Sequence, residues 1–177
     1  LAFASDDPHG GWTRGPRERY DETKITIPPY LHDNAVTRKI LADYYAEISM
    51  LDSQVGKLMK LLDDTNQREN TVVVFISEQG SSFPYGGKWS MYDNGIRATT
   101  VIRWPGHIKP GSVNAALTQY IDFPPTFLAL AGVDPTTIDT GCPDATGYRG
   151  FDGRNMANVW EGKTQTFRDY IYCQHTT

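Results

Sequence analysis

Cysteine and histidine are scarce: the 177 residues hold two cysteines, Cys142 and Cys173, and four histidines. Two cysteines are too few for a disulfide framework, and neither has the spacing or the histidine neighbours of a zinc site, so the redox compartment stays undecided. No apolar run approaches the ~18 residues of a membrane-spanning helix, and there is no internal repeat or low-complexity tract. Excess positive charge is also missing. Charged residues make up 21% of the chain and the net charge is −4, which argues against a nucleic-acid partner. An initiator methionine and a signal-peptide pattern are absent, while both ends, LAFAS and YIYCQHTT, are apolar and strand-like. They read as cut from a larger polypeptide, so the lack of a leader is no evidence for the cytoplasm.

What is present is one domain's worth of residues, enough for a sizeable core. Residues 2–5 (AFAS) read as a short buried strand, and Pro8, Gly10 and Gly11 force the loop that follows. Residues 13–29 are polar and proline-punctuated, without a period, and read as a surface loop. From Asp33 or Asn34, either a suitable cap, apolar residues recur at three- and four-residue steps: Ile40, Tyr44, Ile48, Leu51, Val55, Leu58, Leu62. That spacing predicts one helix with a single buried face, running to about Asp63. Thr71–Ile76 is a continuous β-branched and aromatic run suited to a strand covered on both faces. Thr99–Trp104 reads as another strand, closed by Pro105-Gly106; Asp122 onward opens a helix ending at Gly132, and residues 156–160 form a brief amphipathic piece before a last strand. This order predicts an α/β layer sandwich with a mostly parallel sheet.

In such sheets ligand groups gather at the carboxyl ends of strands. His9 and the Glu78-Gln79 pair follow directly on predicted strands, and Lys88 lies nine residues beyond Gln79. A carboxylate beside an amide oxygen is a hard donor pair that suits Ca²⁺ or Mg²⁺. It also suits a solvated loop. Position alone leaves His9, Glu78, Gln79 and Lys88 open between a functional and a surface role.

The motifs taken in order narrow the choice. DPHGGW, YYAEISMLDSQVGKLMKLL, NTVVVFISEQG, GGKWSMYDNGIR, VIRWPG and IDFPPTFLALAG succeed one another in a way that resembles the sulfatase family of the alkaline-phosphatase-like superfamily. The resemblance covers residues 1–134, read as the downstream part of a catalytic α/β domain. It continues weakly through 135–177, read as a linker and the start of a smaller C-terminal subdomain. DPH, PPYLHDNAVTR and FPYGGK look most like the sulfamidase branch, which acts on heparan-type sugars.

The resemblance implies hydrolysis of sulfate esters or sulfamates on sulfated saccharides, with a bound Ca²⁺ and a formylglycine nucleophile. No C/S-x-P/A-x-R signature for that nucleophile occurs; Cys142-Pro143-Asp144 has its proline one place early and lacks the arginine, and reads as a turn. The nucleophile and two aspartate ligands are expected upstream, in a missing N-terminal part of the same protein. Glu78 and Gln79 stand where the family has Asp and then Asn or His as metal ligands. Lys88 matches a residue that holds a sulfate oxygen, and His9 one that can donate a proton to the departing atom. Arg97 could steady the Lys88 loop or bind substrate, with a surface role equally open, and His175 could reach substrate from the second subdomain. His32 reads as a surface or capping residue, His107 as a surface residue in a turn, and Asp52 as the donor or acceptor of a structural hydrogen bond. A periplasmic, secreted or lysosomal location is expected from the family. Two other readings stand beside this one: a phosphodiesterase or phosphomutase of the same superfamily, which would need more histidines near the strand ends, and a non-catalytic fragment or module.

Overall fold

The computed structural model describes residues 1–174. They form two compact units, one of Leu1–Thr71 with Ile76–Thr100 and the other of Val72–Phe75 with 101–174.

The first unit is built on helix α1, Ala35–Asp64. Asn34, one of the two caps the sequence allows, closes its start, its side chain accepting the Thr37 N–H at 2.9 Å. Thirty residues at 1.5 Å each make a rod of about 45 Å. The predicted stripe is half-buried at Ile40, Tyr44, Leu51, Val55, Leu58 and Leu62 and exposed at Ile48, while the fully buried positions lie beside it, at Leu41, Ala42, Ala46 and Glu47. The cover comes from the segment expected to be a surface loop. It folds into two 3₁₀ turns, Arg17–Arg19 and Glu22–Lys24, which lie against α1. Charged contacts fasten it: Arg17 bonds Asp43 and Glu22, and the Arg38 guanidinium donates to the carbonyls of Glu22 and Ile25. Residues 2–5 are not in a strand.

In the second unit, strands β1 (Val73–Ile76) and β2 (Thr100–Arg103) pair with each other. Ser77, just past β1, donates its N–H to the carbonyl of Thr99, just before β2, at 2.9 Å, so the pair is antiparallel. Alternation then puts Val72 and Val74 on one face, with Ile102 and Trp104. That face packs on Met156, Val159 and Trp160 together with Phe123, Leu130 and Phe167. Helix α3 (Phe123–Leu130) brings Pro into its first turn, where the missing N–H costs nothing; α4 (Ala157–Trp160) follows. A polar hub joins them. Asp122 is fully buried; its carboxylate accepts the N–H groups of Gln119 and Arg154 and pairs with Arg168, and Thr126 Oγ1 relays from the Asp122 carbonyl to the N–H of Met156. Residues 171–174, expected in a strand, are not in one. Among the described residues no helix is long and apolar enough to cross a membrane.

Candidate functional site

His9 is exposed, on a tight turn in which its N–H donates to the Asp6 carbonyl at 2.7 Å. Its neighbours hold the turn. Asp7 is buried and ion-paired to Arg14 at 2.6 Å, and its other oxygen accepts from Gln54 Nε2 at 2.9 Å. The indole N–H of Trp12 donates to the Pro8 carbonyl at 3.2 Å. Where the loop turns back over α1, Gly15 has φ +90°, and a side-chain carbon there would sit 2.0 Å from the Ala46 carbonyl oxygen, so only glycine lets the two backbones approach so closely. A cavity of about 390 Å³ opens beside His9, lined also by Thr13, Arg14 and Glu47.

Glu78 and Gln79 follow β1, with Glu78 exposed and Gln79 half-buried. Helix α2 (Asp93–Ile96) closes the loop that starts with them. Between, the Lys88 N–H bonds the Ser81 carbonyl at 3.1 Å, Ser90 bonds Gly87, and Asn94 Nδ2 bonds the Tyr85 carbonyl at 3.0 Å. The loop is strained as well as bonded: Tyr85 and Trp89, at φ 60° and 61°, occupy the left-handed region on either side of Gly86-Gly87-Lys88. Non-glycine residues hold such conformations only where the surroundings enforce them, and they concentrate at functional sites. The Lys88 ammonium lies 5.5 Å from the centre of the Trp89 ring. The Trp89 N–H reaches Gln79 Oε1 at 3.5 Å, which ties the amide to the lysine's neighbour.

Aromatic packing links the two loops. Trp12 stacks on Phe83 with ring centres 4.8 Å apart and planes 8° from parallel. Tyr44 of α1 meets both rings edge-on, at 5.4 and 5.2 Å. Each such pair adds about 0.5–1.5 kcal/mol beyond its buried area. The loop carrying His9 and the loop carrying Lys88 therefore rest on one shared support within the first unit.

Glu78 and Gln79 fit a divalent cation in kind but not in number. The exposed carboxylate and the weakly held amide oxygen are hard donors, yet Ca²⁺ takes six to eight oxygens. Among the described residues no group of three or more His, Cys, Asp or Glu could hold a metal. The pair alone does not complete such a shell.

Arg97 pairs with Asp93 at 3.6 Å, both exposed, and among the described residues no bidentate clamp braces the Lys88 loop. His32 and Asp52 are exposed. His107 stacks on Trp104 and bonds Glu161 at 3.2 Å. Cys142 is a free, exposed thiol in a turn where Asp144 accepts from the N–H groups of Thr146 and Tyr148. His175 lies outside the described residues.

Sequence reasoning passed over Glu47, which is buried and accepts the N–H groups of Thr13 and Arg14 on Oε1 at 2.8 and 3.1 Å. Its signal was there: a carboxylate three residues past Tyr44 and four before Leu51 sits close to the apolar stripe.

The family model for sulfatases matches residues 1–133. An N-acetylglucosamine-6-O-sulfatase of Bacteroides thetaiotaomicron is 35% identical over 100 residues, 55% of this chain and 18% of its own length. An ulvan-active sulfatase of Formosa agariphila is 31% identical over 176 residues, 97% of this chain and 31% of its own length. A solved structure in complex with its substrate D-glucosamine-2-N,6-O-disulfate superposes with a TM-score of 0.59 at 29% identity, covering 80% of this chain and 28% of the other. The chain thus spans between about a fifth and a third of the length of these relatives.

Proposed function

We propose, from the premise that the chain belongs to the sulfatase family and its alkaline-phosphatase-like fold, that it is the downstream part of a hydrolase of sulfated sugars. Its substrates would be sulfate esters or sulfamates on glycosaminoglycan-type saccharides. The observation that carries this reading is the shared aromatic support that fixes the His9 and Lys88 loops to one another. Relatives that act on sulfated sugars lend it further support. Residues 1–134 would belong to the catalytic domain and 135–177 to the linker and the start of a C-terminal subdomain. The whole enzyme would work in the periplasm, outside the cell or in lysosomes.

In this reading the upstream part would supply the oxygen nucleophile, a formylglycine hydrate, and this chain's own residues bind the sulfate and protonate the leaving oxygen or nitrogen. Lys88 holds a sulfate oxygen and neutralises charge on the transferring group. The leaving atom departs with the bonding electron pair and takes a proton from the His9 imidazolium, which is left as neutral imidazole. A bound Ca²⁺ would supply charge neutralisation at the sulfate; Glu78 and Gln79 would be the ligands this chain contributes. Arg97, and His175 beyond the described residues, would be secondary contacts to substrate.

The test separates the two roles in the full-length enzyme. Lys88→Ala should slow every sulfated substrate, because all share the group it holds. His9→Ala should slow a sugar sulfate or sulfamate by ~10²–10⁴ while sparing an activated nitrophenyl sulfate, whose leaving group needs no proton. It should also abolish the limb of the pH profile due to the acid. Equal slowing of sugar and aryl substrates by His9→Ala would refute the acid role.

A further inference from the structure

The buried carboxylate on α1 invites a question that the reaction scheme does not answer. Glu47 is only 2% exposed, and its Oε2 has no hydrogen-bond partner among the described residues. A carboxylate shut away from water without a cationic partner is costly, and an apolar residue of similar volume would serve stability better. What Glu47 does have is two backbone donors on one oxygen, the N–H groups of Thr13 and Arg14. Hydrogen bonds to an ionised acceptor are among the strongest available to backbone. They pin the loop at the place where Gly15 lies against the helix backbone.

From that point the restraint runs toward His9. Arg14, held at its N–H by Glu47, sends its guanidinium back to Asp7 at 2.6 Å. Asp7 is fixed a second time by Gln54 of α1, and it precedes His9 by two residues. Glu47 and His9 line the same cavity. The loop is thus tied to α1 on both sides of His9, by Gln54 through Asp7 and by Glu47 through Thr13 and Arg14.

We infer that Glu47 is a positioning residue for His9, acting through Arg14 and Asp7 to hold the imidazole where it can meet the leaving group. The inference rests on the reading of His9 as the acid, and its experiment can tell the two apart. The full-length enzyme is assayed as Glu47→Met, which fills the volume without accepting a hydrogen bond, and as Glu47→Gln, which keeps an accepting oxygen. Glu47→Met should lose at least about tenfold on a sugar sulfate, part of the ~10²–10⁴ that a general acid contributes, and stay within about threefold on a nitrophenyl sulfate. Glu47→Gln should restore most of the loss. The His9→Ala/Glu47→Met double variant should be no slower than His9→Ala alone, because a positioning residue has nothing left to position.

Equal losses on both substrates, or a double variant slowed by the product of the two single effects, would overturn the proposal. If His9→Ala shows no leaving-group dependence, the acid reading fails, and the double variant still decides whether Glu47 works through His9. Should Glu47→Met not fold, Arg14→Ala replaces it: this change keeps the backbone donors, cuts the link to Asp7, and must show the same substrate selectivity and the same lack of effect on top of His9→Ala.

Discussion

Replacing Asp122 by alanine would strand three donors at once: the N–H groups of Gln119 and Arg154, bonded to it at 2.7 and 2.9 Å, and the guanidinium of Arg168. Asp122 is wholly buried and the Arg168 side chain is 9% exposed, so water cannot readily take the place of the carboxylate. Removing one member of a buried pair costs about 3–5 kcal/mol, chiefly because the remaining charge is left unpaired. Each orphaned buried N–H adds about 1–3 kcal/mol, less where the neighbourhood relaxes. At the low end of each range a local loss of about 5 kcal/mol is expected, equivalent to several thousandfold in the opening equilibrium. Native-state hydrogen exchange on the full-length protein reads that equilibrium directly at the amides of Gln119, Arg154 and Met156. Asp122→Ala/Arg168→Met removes the stranded charge as well and should regain roughly a hundredfold of the lost protection, leaving only the two backbone donors unmet. Protection in Asp122→Ala within tenfold of wild type, or a double variant no better than the single, would refute the reasoning.

Glu78→Ala should weaken calcium binding by the full-length enzyme more than Gln79→Ala, since a charged ligand contributes the larger Coulomb term to a hard cation; calorimetric titration showing wild-type affinity in both would return the pair to the solvated loop. Gly87→Ala should cost activity without matching loss of overall fold, because Gly87 has φ +93° and a side-chain carbon there would lie 2.3 Å from the Gly95 nitrogen, forcing the Lys88 loop apart; circular dichroism and turnover measured together check it. The Glu161 carboxyl is held below the usual range, first by Lys163 and then by His107. Its contribution to stability is complete above the ordinary unfolded value of 4.5 and fades as pH falls through the lower folded value. An NMR titration should find that Lys163→Ala raises the Glu161 midpoint more than His107→Ala does.

Much of the framework was legible in the residues. The period of the apolar positions and the Asn34 cap give α1 within a residue or two of its bounds, and β-branched runs mark both strands. What stayed hidden has physical reasons. Residues 17–24 form turns too short to carry a period, and they fold because Arg17 and Arg38 find partners on α1 and on the segment itself. That cover shifts the buried face of α1 toward Ala46 and Glu47, which periodicity alone centred elsewhere. The runs at 2–5 and 171–174 have strand-like composition, but a strand needs a partner strand, and among the described residues they pair with none. At the site, residue type marked His9, Glu78, Gln79 and Lys88 as candidates. The aromatic trio that relates two of their loops joins residues 12, 44 and 83, a juxtaposition visible only after folding.

The Trp12–Phe83 stack also bears on how such a chain can change over time. Phe83 sits in the loop that presents Lys88, and Trp12 in the loop that presents His9. Lengthening or reshaping 81–88 to admit a differently decorated sugar would drag the indole, and the histidine three residues before it, out of register. Under the roles proposed for His9 and Lys88, substrate range and proton delivery would be inherited together. Lineages that alter one loop should carry compensating changes at residues 8–12 or at Tyr44, and transplanting the 81–88 loop alone between such lineages should yield proteins that fold and bind sulfated sugars but turn them over slowly.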